Sequence, residues 1–206
     1  MKYYYHPASP NCRKVTAVID HLGLRAEHVV VDLKEGEQLQ PEFLAVNPNG
    51  RVPTLVDGNR TLWESNAIII HLAEKTSSDL WPNDDRRLDI LRWLFWEQGH
   101  LMYATGIPFY QLVIKPLFNE QPDQKRIDEA YASFGRLARV LDDQLARTTH
   151  VVGDTLSLAD FALGGNFSYA PKAGLPMDEF SHIRRWLDAL DEIPAWKSSA
   201  PQPLGG

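Results

Sequence analysis

The sequence predicts two domains: an α/β domain over residues 1–76 and an all-helical domain over 86–206, joined by a linker at 77–85. Three observations carry this reading. The first 75 residues alternate short β-prone runs with helical ones. Residues 76–85 then turn polar, with Ser77-Ser78 and Trp81-Pro82-Asn83-Asp84. Beyond them helical periodicity takes over, and Val151-Val152 is the only short strand-like pair.

Composition narrows the function classes. A chain of 206 residues can bury a real core in one large or two modest domains. The net charge of −6 and the absence of a basic run argue against a nucleic-acid surface. The single cysteine, Cys12, excludes an internal disulfide and a multi-cysteine metal site. His100 stands without a His or Cys at metal-ligand spacing, so no metal is expected. Met1 to His6 lacks the apolar core of a signal peptide, and no 18-residue apolar run exists. The expectation is a cytoplasmic protein, with neither membrane nor nucleic acid as partner.

In chain order, Lys2–Tyr5 is an aromatic strand broken by His6-Pro7. Pro7 and Pro10 bracket a loop before a helix with Val15, Val18, Ile19 and Leu22 on one face and Gly23 as its C-cap. Glu27–Asp32, with Val29-Val30-Val31, reads as a buried parallel strand. Pro41–Leu44 makes a turn of helix. Thr54-Leu55-Val56, Asp57-Gly58 and Thr61-Leu62-Trp63 form a hairpin. Ser65 stands at the N-cap ahead of Ala67-Ile68-Ile69-Ile70 and Leu72.

The second half begins with a long helix from Arg86 to Leu117, bent at Pro108. Asp123–Arg147 is the cleanest helix, with Ile127, Ala130, Tyr131, Phe134, Leu137, Ala138, Leu141 and Leu145 in 3.6-residue phase. Ser157 and Asp160 spell a capping box, a folding feature without chemistry. Asp178–Leu190 and Pro194–Lys197 close the helical domain, and 201–206 is a frayed tail.

The stretch from Asn47 to Leu72, with Asn-Gly-Arg-Val-Pro-Thr-Leu, a hairpin and Glu-Ser-Asn-Ala-Ile, resembles the thioredoxin-like domain of soluble glutathione transferases. The resemblance is tight over 1–75 and loose after that. It implies a cis Pro53 with Val52 offering its backbone to the cysteinyl part of glutathione. It implies Glu64 and Ser65 at the γ-glutamyl end, and Gln38 and Arg51 at the glycyl carboxylate. A helix start with free N–H groups is a ready carboxylate site. Family behaviour further implies a detoxifying enzyme, a homodimer, glutathione as co-substrate, and a small electrophile or disulfide as second substrate. Tyr103 and Tyr110, on the long helix, are the candidates for contacts to that second substrate.

For the sulfur, Ser9 leads, because theta- and delta-like transferases carry a Ser four residues before an Arg, as Ser9 and Arg13 stand here. A free thiol of pKa ~8.5 is only ~3% thiolate at pH 7. Making thiolate the majority takes ~2.7 kcal/mol of preferential stabilisation. A hydroxyl donating to a charged acceptor supplies ~1.5–3 kcal/mol and a helix N-terminus ~0.3–1 kcal/mol more. One serine at a helix start suffices, without a general base.

Ser9-Pro10-Asn11 also resembles the Thr-Pro-Asn loop of nu-class, bacterial-type glutathione-dependent disulfide reductases, in which the Asn amide helps hold sulfur. Asn11 and, less closely, Tyr5 therefore stand beside Ser9. Cys12 falls inside the helix, the second position of a Cys-x-x-Cys outline whose first sulfur is an oxygen. Transferase, disulfide reductase and non-catalytic binding protein are the three readings carried forward.

Overall fold

The structure is a computed structural model that describes residues 1–202. Strand β1 (Lys2–Tyr5) lies inside the sheet of the first unit. It pairs in parallel with β2 (Glu27–Val30) and antiparallel with β3 (Thr54–Asp57), which pairs antiparallel with β4 (Arg60–Trp63). The order is β2-β1-β3-β4. Side chains alternate across the sheet. Tyr3 is fully buried and its hydroxyl donates to the Cys12 carbonyl of α1 (Pro10–His21) at 2.9 Å. Tyr4 points the other way, edge-on to Phe43 of α2 (Pro41–Leu44). Helix α3 (Ser65–Lys75) packs along α1. The β3–β4 turn is two residues long and places Gly58 at φ +62°, where a Cβ is disfavoured.

Three local expectations change. β2 is parallel, as read, but it is an edge strand with Val30 half exposed, and only Val31 beyond it is buried. A run of three valines cannot say whether a second neighbour covers the strand. Ser65 is the first helical residue of α3 and Glu64 holds the N-cap, without a side-chain cap bond. Val151-Val152 is no strand; it forms a bend, with the Val151 N–H donating to Asp160 Oδ1 at 2.9 Å.

The second unit spans Asn83–Ile193. Its long helix comprises α4 (Arg86–Trp96), a π-helical stretch Glu97–Leu101, α5 (Met102–Phe109), a second π stretch Tyr110–Ile114 and a 3₁₀ turn Lys115–Phe118. Pro108 sits inside α5, and the helix runs on into the wider turn that follows. A missing N–H and a ring clash disrupt the regular ladder, and a π turn is one way to absorb that. Helix α6 (Gln124–Leu145) starts at Asp123, whose carboxylate accepts from Arg126 N–H, and buries six of the expected face, Ile127, Ala130, Phe134, Ala138, Leu141 and Leu145, while Tyr131 and Leu137 at its margin are half-buried. In α7 (Leu158–Gly165) the Asp160 carboxylate accepts from the Ser157 N–H and hydroxyl and from the indole N–H of Trp186 on α8 (Ser181–Asp191).

The C-terminal segment departs from expectation. Helix α9 (Pro194–Ser198) belongs to the first unit, which comprises Met1–Pro82 and the described residues from Pro194 on. Trp196 is buried against α1, where the Arg13 guanidinium lies 3.8 Å from its ring centre. Leu80 and Trp81, inside the expected linker, are buried too, and the Trp81 indole N–H donates to Glu74 at 3.2 Å. A five-residue helix carries too little periodicity to reveal which unit receives it. Of the expected tail, 203–206 lies outside the described residues.

Candidate functional site

Sheet register assembles the site. Tyr4 faces Thr54, and Thr54 faces Trp63. One residue further along each strand come Tyr5, Pro53 and Glu64, so the loop to Ser9, the Pro53 loop and the start of α3 share one end of the sheet. The sequence spreads these residues over some sixty positions, and the strand pairing collects them.

Ser9 is the N-cap of α1, with φ −82° and ψ 123°, and its Oγ accepts from Cys12 N–H at 3.3 Å. The cap uses an oxygen lone pair and keeps the hydroxyl proton as a donor. Its nearest sulfur is that of Cys12, which also accepts from the His6 N–H at 3.5 Å. Burial pushes the Cys12 thiol up to about 11, the Ser9, His6 and Tyr3 hydrogen bonds pulling only partly the other way. A neutral thiol is a weak acceptor, so an incoming thiolate out-competes it for the Ser9 proton. Tyr5 stacks on Tyr3 with ring centres 5.2 Å apart and meets His28 edge-on, which spends its faces on packing.

The Val52–Pro53 peptide is cis. Its loop is tied down by Asn47, buried to 1% exposure, whose Nδ2 donates to Arg51 C=O at 2.7 Å and to Thr54 Oγ1 at 3.0 Å. Asn47 Oδ1 in turn accepts from the backbone and side-chain amides of Asn49. Gly50 presses the same loop against the 3₁₀ turn Glu37–Leu39: at φ +60°, a Cβ there would meet Gln38 C=O and Leu39 Cδ2 at 3.1 Å. Glu64 is exposed and sits at φ +71°, ψ 111°, a region that costs a non-glycine residue roughly 1–3 kcal/mol. Ser65, buried beside it, donates through its hydroxyl to Asn11 Oδ1 at 3.4 Å, which joins the first turns of α1 and α3.

Comparison with known proteins decides the family. The model of the glutathione S-transferase N-terminal domain matches residues 1–74, and that of the C-terminal domain matches 105–194. Glutathione S-transferase 3 of Zea mays is 34% identical over 212 residues, covering 99% of this chain and 95% of its own. The chain belongs to the glutathione transferase family. Among solved structures, glutathione transferase F7 of Populus trichocarpa superposes with a TM-score of 0.91 at 31% identity, covering 97% of both chains. A theta class glutathione S-transferase of Xanthomonas axonopodis pv. citri, solved with glutathione bound, gives 0.89 at 29% identity, covering 99% of this chain and 98% of its own.

Within this transferase fold the remaining candidates are less gathered. Gln38 turns inward, with Nε2 donating to Leu33 C=O at 3.5 Å and Oε1 buried without a hydrogen-bond partner among the described residues. The Arg51 side chain is exposed. Tyr103 and Tyr110 are exposed on the long helix of the second unit, at 64% and 48%. Of the aromatics around them, Trp93 is buried and Phe109 packs on Tyr169 with ring centres 4.5 Å apart.

Sequence reasoning missed three residues that hold the site: Asn47, Lys14 and Asn66. Lys14, 1% exposed, donates to Asn66 Oδ1 at 3.1 Å. A lysine in apolar phase with Val18 on α1 was the available signal. Asn47 offered none, since an asparagine before proline reads as a turn.

Proposed function

We propose that this transferase binds reduced glutathione across the end of its sheet and holds the sulfur as a thiolate at Ser9. The observation that carries the reading is the Ser9 cap: its oxygen is fixed at the start of α1 by the Cys12 N–H, and a hydroxyl that accepts there still has a proton to give. Val52 offers backbone beside the cis proline, Glu64 meets the ammonium of the γ-glutamyl end, and Ser65 with the α3 N-terminus meets its carboxylate. Arg51 and Gln38 serve the glycyl carboxylate, Arg51 by charge. The thiolate then attacks an electrophilic carbon, forming the S–C bond as the bond from that carbon to its leaving group breaks and the leaving group departs with the electron pair, with Tyr103 and Tyr110 as the second-substrate contacts. The chain is read as theta/delta-like or as a nu-like bacterial relative, acting as a cytoplasmic homodimer without a metal.

Disulfide reduction by the same thiolate is the second reading, supported by Asn11 adjoining Ser9 at the start of α1 and bonded to Ser65. In either chemistry the reactive sulfur belongs to glutathione, because Cys12 is buried and poorly ionised. Titration calorimetry tests the site. Glu64→Ala combined with Ser65→Ala abolishes glutathione binding while the protein stays folded; wild-type affinity in that variant would overturn the assignment.

A further inference from the structure

We propose that Lys14 is a positioning residue for glutathione: through Asn66 it fixes the first turn of α3 and so sets the seat of the γ-glutamyl carboxylate. The inference rests on the reading of Ser65 as that seat.

The argument starts from what Lys14 costs. Its side chain is long and flexible, it stands on the inner face of α1, and it is 1% exposed. Ordering and desolvating such a chain is unfavourable unless the ammonium is hydrogen-bonded, and an apolar residue could fill the same space. Its Nζ donates to Asn66 Oδ1 at 3.1 Å, and Asn66 immediately follows Ser65.

The two helix starts differ in how they are held. Ser9 is fixed within α1 by its own bond to Cys12 N–H. Helix α3 has no side-chain cap, and its N-cap residue Glu64 sits at φ +71°. Strained backbone persists only where neighbours over-determine it. Neighbours are present: Asn11 meets Ser65 at 3.4 Å and Lys14 meets Asn66 at 3.1 Å, both from α1. The shorter of these contacts carries the charged donor, and charge-assisted bonds are the stronger kind. Loss of Lys14 therefore loosens the α3 seat and leaves the Ser9 cap intact. The consequence is specific: glutathione affinity falls, while the pKa of the bound thiol stays in place.

The test uses the full chain, glutathione itself as probe, calorimetry for affinity and thiolate absorbance for the bound thiol. Lys14→Met is expected to weaken binding by about tenfold, the scale of one charged hydrogen bond, with the bound thiol titrating as in wild type. Asn66→Ala, which removes the acceptor from the other side, reproduces that loss should Lys14→Met not fold. A purely structural lysine would lower the melting temperature of Lys14→Met and leave its affinity unchanged, which overturns the proposal. A wild-type protein that does not bind glutathione removes the reading of the site, and this inference with it; intact wild-type binding with an unaffected Lys14→Met removes this inference alone.

Discussion

Ser9 and Cys12 sit three residues apart and face opposite fates. Ser9 is half-buried at a helix N-terminus, and Cys12 beneath it is 1% exposed. Burial pushes the Cys12 thiol up to about 11. At pH 8 a thiol of that pKa is ~0.1% thiolate, so the folded protein should resist alkylation and react only after unfolding. Mass spectrometry after iodoacetamide treatment checks this. Cys12→Ala should keep wild-type turnover on electrophile or disulfide, and loss of turnover would return the chemistry to the protein thiol. Most of the candidate residues could be named from the sequence, because Ser9, Val52-Pro53 and Glu64-Ser65 stand in short motifs with fixed spacing. Lys14, Asn66 and Asn47 could not, since their partners lie 52 residues away or are backbone atoms of a folded loop.

At the scale of elements, most turns and caps were legible to within a residue and sheet position was not. The Asp123 start of α6 and the Ser157–Asp160 pairing are local and form as read, and the hairpin forms one residue on, with Gly58-Asn59 in its turn and Asp57 paired to Arg60. The edge position of β2 depends on what lies beside it, which no run of valines encodes. The hairpin is fastened to α3 by Asp57, which accepts from Lys75 Nζ at 2.7 Å and pairs with His71 Nε2 at 2.9 Å. The Lys75 hydrogen bond, then that of His71, holds the Asp57 carboxyl below the ordinary carboxylate range. A depressed folded pKa stabilises the fold above the unfolded value of about 3.9 and ceases to do so as pH falls through the folded value. Asp57→Asn should therefore melt below wild type at pH 7, and the gap should close once pH drops below the folded value. Thermal melts across pH show it; a gap independent of pH would mean that packing, not the carboxylate charge, is what Asp57 contributes.

At the scale of the whole molecule, the chain leaves the first unit after Pro82, builds the second through Ile193, and returns to the first with α9. The change from alternating β-prone and helical runs to helical periodicity alone made the two-part architecture visible, but the return depends on one buried indole, Trp196, stacked under Arg13. Trp196→Ala should cost about 3–5 kcal/mol, as large-to-small changes at buried aromatics do. Hydrogen exchange would localise the loss: amides of α1 lose protection while those of α6 keep theirs. Equal loss in both helices would mean that the two units unfold as one.

The central claim is that Ser9 holds glutathione as a thiolate. An ultraviolet titration of the protein–glutathione complex across pH, for wild type and Ser9→Ala, tests it most directly. The account predicts a bound thiol pKa about two units below that of the free thiol in wild type, returning toward the free value in Ser9→Ala. A lowered pKa that survives Ser9→Ala would contradict it and move the chemistry to Asn11 or Tyr5.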